Sequence, residues 1–227
     1  MLFKKKIPGN TRADIFYHHP QKSMRTCRKA RGITGKYTLM RRDMKFDASQ
    51  VYVPEADSYL LLEAARMEVK PGDRVLEVGT GSGLIAADLA GITGVVATDI
   101  NPHAALCARN TGADVVQCDL FCGIRGSFDL ILFNPPYLPT RPEERIDDWL
   151  EHALDGGKSG RDVIGRFSEQ AGGVLAAGGR MLLLISSLTG LPEVRDLFYR
   201  YGFSSEIVLK KKVEGETLYV LKIVWKK

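Results

Sequence analysis

The sequence predicts an α/β fold: a doubly wound, mostly parallel, seven-stranded sheet with a C-terminal antiparallel hairpin. Three observations carry that expectation. Short apolar runs alternate with helical segments between residues 73 and 202, the order of a parallel sheet covered on both faces. Glycines cluster in "LEVGTGSG" (76–83), where the first such run hands over to a helix. Two longer runs then flank Glu214-Gly215 near the C-terminus, as the arms of a hairpin do.

Residues 44–227 read as one domain. "PEADSYLLLEAARMEV" (54–69) is rich in helix formers, with Leu61, Ala64 and Ala65 able to share a face. "DRVLEVG" (73–79) is a short strand and "SGLIAADLAG" (82–91) a helix closing on Gly91. "GVVATDI" (94–100) is a strand, "PHAALCARN" (102–110) a helix with Pro102 in its first turn, and "ADVVQCDL" (113–120) a strand. "FDLILFN" (128–134) is a buried strand. "GRDVIGRFSEQAGGVLA" (160–176) reads as a helix with a glycine-weakened centre, "GRMLLLISS" (179–187) as a strand and "LPEVRDLFYRYG" (191–202) as a helix. "FSSEIVLKKKV" (203–213) and "ETLYVLKIVW" (216–225) are the hairpin arms.

Composition narrows the class. With 227 residues, 44% hydrophobic and 26% charged, the chain has material for a sizeable core. No apolar run is long enough to cross a bilayer, and the N-terminus lacks a secretory h-region. Cys27, Cys107, Cys118 and Cys122 are few for this length and lack the clustered pairs of a zinc site, so free thiols in a reducing cytoplasm are expected. Charge is uneven. Residues 1–43 hold 12 Lys or Arg against two Asp, whereas 44–227 holds 20 against 25 Asp or Glu. The body is therefore mildly acidic, which argues against a broad nucleic-acid surface there. The basic stretch shows no sustained period and reads as a disordered extension. An arm touching nucleic acid, a transit peptide, and a leader that translation from Met44 would omit are the readings open for it.

The glycine turn points to a cofactor. Gly79, Gly81 and Gly83 let backbone approach a ligand without an intervening Cβ, and Gly81, Gly83 and Ala86 even fit a dinucleotide pattern. Asp99, which closes the second strand just before Ile100, stands where a carboxylate accepts hydrogen bonds from both ribose hydroxyls. A nucleoside-bearing cofactor is expected. Glu77 favours S-adenosylmethionine over a nicotinamide, because a negative charge at the turn repels a pyrophosphate and suits a cation. Asp119-Leu120 closes a third strand, placed to bond an adenine amine and cover its ring.

The buried strand 128–134 stops at Asn134-Pro135-Pro136-Tyr137. Two prolines end a ladder whatever else they do. They also stiffen a bend at a strand's carboxyl end, where open α/β sheets bind ligands, and Pro135 pushes Asn134 to an extended conformation. Such a bend suits a planar nitrogen, whose delocalised lone pair makes it a poor nucleophile. The Asn134 side-chain oxygen and the Pro135 carbonyl can accept its two N–H bonds and stabilise the charge that develops on it, while Tyr137 stacks on the planar group.

The bend resembles the (Asn/Asp/Ser)-Pro-Pro-Tyr motif of methyltransferases that modify planar nitrogens. "HALDGGKSGR" (152–161) resembles the D-G-G-x-x-G segment of the HemK-type protein glutamine methyltransferases. "VYVPEADSYLLLEA" (51–64) is similar to the Tyr-x-Pro-x-x-Asp-(Thr/Ser) segment of that family's archaeal and eukaryotic branch. The resemblance covers about residues 50–227 and implies a class I, Rossmann-like methyltransferase domain. It implies that Ser58, Glu77, Gly79, Asp99, Asp119 and Leu120 contact S-adenosylmethionine; Gly81, Gly83 and Ile100 complete the expected cofactor set. Asn134 would touch both cofactor and substrate, with Pro135, Pro136 and Tyr137 on the substrate side. Ser58 stands where Thr is common and keeps the hydroxyl; Glu55 is displaced from the family's acidic position and receives no role. The implied substrate is the Gly-Gly-Gln loop of a class 1 peptide chain release factor. A small zinc-binding activator protein is implied as partner at a sheet edge, with Val115 and Val116 as candidates. An adenine-directed nucleic-acid methyltransferase, a methyltransferase of another protein nitrogen such as lysine, and a non-catalytic adaptor acting through the basic stretch are the alternatives.

Overall fold

The computed structural model describes residues 45–141 and 148–226, together with the backbone of four short strands in the first 44 residues. Those strands are β1 (Leu2–Lys6), β2 (Asp14–His18), β3 (Thr26–Arg28) and β4 (Thr34–Thr38). The domain continues as α1 (Ala56–Glu68), β5 (Arg74–Val78), α2 (Leu84–Leu89), β6 (Gly94–Asp99), α3 (Pro102–Asn110), β7 (Asp114–Cys118) and β8 (Phe128–Phe133). It ends with α4 (Asp162–Ala171), β9 (Leu175–Ser186), α5 (Leu191–Arg200), β10 (Phe203–Lys212) and β11 (Thr217–Trp225).

The main sheet runs β10-β11-β9-β8-β5-β6-β7-β4-β3. Its seven strands from β5 onward are those the alternation predicts. The central pairs β9–β8, β8–β5, β5–β6 and β6–β7 are parallel, and β11 and β10 add the antiparallel end. At the other edge β4 pairs antiparallel with β7 through Tyr37 opposite Cys118 and Thr38 opposite Gln117. The absence of a period in 1–43 hid these strands, since segments of three to five residues are too short to display one. The expectation that this stretch is disordered lies otherwise on residues outside the described ones.

Alternation along the strands divides two cores. Leu130 and Leu132 face α1 and α2, packing with Leu60, Leu61, Ala64, Ala65, Ile85 and Leu89. Ile131 and Phe133 face the opposite side, where Phe121, Ile164, Phe167 and Phe198 cover them. Phe133 stacks on Phe167 at 4.7 Å between ring centroids, which anchors the end of β8 against α4. Each fully buried leucine contributes about 1.5–3 kcal/mol of transfer free energy.

One helix differs from expectation. The segment 160–176 is helical only to Ala171, and Leu175 and Ala176 begin β9. Gly172 and Gly173 end the helix, and a Cβ at 172 would lie 2.8 Å from the outer edge of the Trp225 ring, which would have to shift. Among the described residues no helix is long and apolar enough to cross a membrane.

Candidate functional site

In the strand order β5 has β6 and β7 on one side and β8 and β9 on the other, so the winding direction reverses between β5 and β8. A crevice opens at the carboxyl ends of such strands. Here it is a cavity of about 670 Å³, within the range of small-molecule sites. The glycine turn after β5, the ends of β6 and β7, the bend after β8 and the segment before α1 all line it. Ser58, Glu77, Gly79, Gly81, Asp99, Ile100, Asp119, Leu120 and Asn134 to Tyr137 are on its wall.

Gly83 departs from the expectation. It is buried at the start of α2, and a Cβ on it would sit 2.7 Å from Ala108 Cα of α3. Its role is close helix packing, combined with a backbone φ of +82° that side chains disfavour. Gly81 is the contrasting case: with φ +56°, a Cβ added to it would have no protein atom within 4 Å, so its missing side chain leaves space open. Gly79 brings the two halves of the site together. A Cβ there would be 3.3 Å from the Phe133 ring and 3.9 Å from the Asn134 carbonyl oxygen.

The acids are held by local donors. Thr80 Oγ1 donates to Glu77 Oε2 at 2.7 Å. Burial pushes the Glu77 carboxyl up to about 8, against the lowering effect of Thr80 and the Ala86 N–H and with a further rise from Asp99. Asp99 accepts from the Gly81 N–H at 2.9 Å and the Asn101 N–H at 2.8 Å. Burial raises its carboxyl to about 6 despite those bonds. Two buried acids in one crevice, each short of full compensation, suit a ligand that brings donors and positive charge. Asp119 is paired with Arg166 of α4, a partner that residue order alone does not indicate.

The bend has a cradle. The Leu138 N–H donates to Leu154 O at 3.1 Å, and the Gly156 N–H donates back to Leu138 O at 2.9 Å. Gly160, at φ +71°, lies against the Tyr137 carbonyl so closely that a Cβ would be 2.4 Å from that oxygen. Gly156 in turn packs on Gly160, where a Cβ would be 2.7 Å from Gly160 Cα. The D-G-G-x-x-G segment thus holds the bend from behind, a role its spacing alone does not express.

Asn134 is anchored at its other end. Its Nδ2 donates to Asp57 Oδ2 at 3.0 Å, and the Tyr52 hydroxyl donates to the same oxygen at 3.2 Å. Asn134 Oδ1 is buried with no hydrogen-bond partner among the described residues. Burial, then the charges of Asp57 and other nearby acids, holds the Tyr52 and Tyr137 phenols above their usual range, so both are protonated donors at neutral pH. The sequence reading assigns no role to Asp57 or Tyr52, although both stand in the segment resembling the family.

A reversed αβ sheet with a glycine turn, carboxylates closing β6 and β7, and a proline-stiffened amide beside them defines a class I methyltransferase. Residues 53–150 match the family described as Methyltransferase small domain. A Methanocaldococcus jannaschii protein whose name assigns it as a putative protein N5-glutamine methyltransferase is 43% identical over 76% of this chain and 90% of its own length. Methyltransferase HEMK2 of Homo sapiens is 36% identical over 77% of this chain and 89% of its own. The solved structure of the E. cuniculi Mtq2–Trm112 complex, described as responsible for methylation of the eRF1 translation termination factor, aligns with a TM-score of 0.66 at 32% identity. It covers 78% of this chain and 99% of that one. The chain belongs to the HemK-type protein-(glutamine-N5) methyltransferases, in their archaeal and eukaryotic branch.

Proposed function

We propose that this enzyme transfers a methyl group from S-adenosylmethionine to the side-chain nitrogen of the glutamine in the Gly-Gly-Gln loop of a class 1 peptide chain release factor. The observation that carries this reading is the unpartnered, buried Oδ1 of Asn134, fixed beside the glycine turn. The names of the relatives agree with it.

The residues present fit the cofactor. The open space at Gly81 admits a ligand close to the backbone, Asp99 can accept from a ribose, and the acid at Glu77 suits a cationic methionine moiety. Asp119 would take the adenine amine, with Leu120 against the ring and Ser58 contributing its hydroxyl. When bound, the cofactor supplies an electrophilic methyl group on sulfur. The glutamine amide nitrogen is a weak nucleophile, so its orientation decides the rate. Asn134 Oδ1 and the Pro135 carbonyl accept its two N–H bonds, and Tyr137 covers the planar group. The positive charge that would develop on the nitrogen as it accepts the methyl group would be stabilised by these two oxygens. The alkylated nitrogen then loses a proton to solvent without a dedicated base.

A small zinc-binding activator pairs with the β7 edge in this reading. Val115 and Val116 are half-buried there, and among the described residues β4 pairs with β7 at Gln117 and Cys118. Contact with nucleic acid would fall to the basic residues 1–43, and the setting is the cytoplasm.

The test is a methyl-transfer assay with labelled cofactor, comparing release factor, duplex and single-stranded nucleic acid, with activator present. Label on the Gly-Gly-Gln glutamine alone supports the proposal. Label on adenine with release factor left bare overturns it.

A further inference from the structure

The proposed chemistry uses the oxygen of the Asn134 carboxamide and leaves open what keeps that oxygen, rather than the amide NH2, toward the substrate. We infer that Asp57 is the positioning residue that locks the Asn134 amide in its productive orientation. This rests on the reading of Asn134 as the acceptor for the substrate nitrogen.

An ionised carboxylate only accepts hydrogen bonds, so whatever Asn134 presents to it must be its NH2. The 3.0 Å bond from Asn134 Nδ2 to Asp57 Oδ2 therefore fixes both amide atoms at once. Asp57 is itself fixed. Its Oδ1 accepts from the Ser58 backbone N–H at 2.6 Å and from Ser58 Oγ at 3.2 Å, while Tyr52 donates to Oδ2. It is 5% exposed, so water cannot replace these donors. It also lies in the first turn of α1, where free helix N–H groups favour a negative charge. The one carboxylate connects Ser58, on the cofactor side, with Asn134, on the substrate side, 77 residues from Asp57 in sequence.

Neutralising this group makes a sharp prediction. In Asp57→Asn the new amide must place its oxygen against the Ser58 backbone N–H, which cannot turn around. Its NH2 then meets the Asn134 NH2, and Asn134 is driven to flip. A flipped Asn134 points N–H at the substrate N–H, and the acceptor is lost. Exchanging the two residues, Asp57→Asn with Asn134→Asp, restores a donor at 57 facing a carboxylate at 134, whose second oxygen again accepts.

The experiment measures kcat with release factor and activator at saturating cofactor, and calorimetric affinity for S-adenosylhomocysteine, in wild type, Asp57→Asn, the exchanged pair and Asn134→Ala. Asp57→Asn is expected to lower kcat by about 10²-fold, the size seen on losing one preorganised hydrogen-bonding group, with cofactor affinity unchanged. The exchanged pair is expected to recover about tenfold of that loss, since a correctly aimed acceptor returns. Wild-type turnover in Asp57→Asn, or an exchanged pair no better than Asp57→Asn, overturns the inference. So does a loss of cofactor affinity that parallels the loss of turnover, which would mark a structural role. Inactive Asn134→Ala beside fully active Asp57→Asn defeats the inference alone, whereas active Asn134→Ala defeats the functional reading with it.

Discussion

The Gly81 backbone N–H donates to Asp99 Oδ2 at 2.9 Å, tying the turn after β5 to the end of β6 across the crevice. One acid thus both shapes the glycine turn and offers its remaining lone pairs to a ribose. Asp99→Ala is expected to weaken binding of S-adenosylmethionine and S-adenosylhomocysteine alike by roughly 10–100-fold, the worth of a charge-assisted hydrogen bond or two. At saturating cofactor turnover stays close to wild type. Calorimetry and single-turnover kinetics separate the two effects.

Glu77 titrates near 8 in the folded protein, above the ordinary range of a carboxyl. A raised acid binds more protons folded than unfolded. Its contribution to stability is therefore fully present below the ordinary carboxyl range and is lost as pH rises through about 8. The neutral variant Glu77→Gln should accordingly melt higher than wild type at pH 8–9 in the absence of cofactor. A gain of about 1 kcal/mol would appear as roughly 2–4 °C in a domain of this size. The same variant should lose the rise in affinity for the cationic cofactor that wild type gains between pH 6 and 8, as the carboxylate forms. Melting curves and calorimetry across that range read both signs.

Two of the three glycines of the turn, Gly81 and Gly83, should differ in what their substitution costs. Gly83→Ala forces a Cβ to 2.7 Å from Ala108 Cα and should destabilise the fold by about 1–3 kcal/mol, the cost of overpacking. Gly81→Ala meets no protein atom within 4 Å, so it loses only the roughly 1–2 kcal/mol of a left-handed backbone at φ +56°, while its methyl occupies ligand space. Thermal melts rank Gly83→Ala as the greater loss, and cofactor titration ranks Gly81→Ala so.

Gly160→Ala tests the cradle behind the bend. The added Cβ would stand 2.4 Å from the Tyr137 carbonyl oxygen, which must move. A displacement of an ångström at a reacting group costs about 10²-fold in rate, so turnover should fall by that order. Gly160 does not line the cavity, and cofactor affinity should hold.

Much of this is readable from residue order. The alternation of runs from 73 to 225 locates every strand from β5 onward, and Asn134, Glu77 and Asp99 are recognisable because strand ends carry polar groups without an evident folding need. What escapes are relationships between distant segments. Three glycines in one turn look alike until α3 is packed on α2, and only then does Gly83 separate from Gly79 and Gly81. Arg166 on α4 meets Asp119 across a sequence separation of 47 residues. The Asp57–Asn134 contact joins the start of α1 to the end of β8, and the glycines at 156 and 160 show their purpose only against Tyr137.

The central claim is that the bend grips a planar NH2 group beside the methyl donor. A crystal structure with S-adenosylhomocysteine and a Gly-Gly-Gln peptide measures it most directly. The account predicts the glutamine side-chain nitrogen at about 3 Å from both Asn134 Oδ1 and the Pro135 carbonyl oxygen, facing the cofactor sulfur. A glutamine bound elsewhere, with those two oxygens turned away from it, would contradict the account.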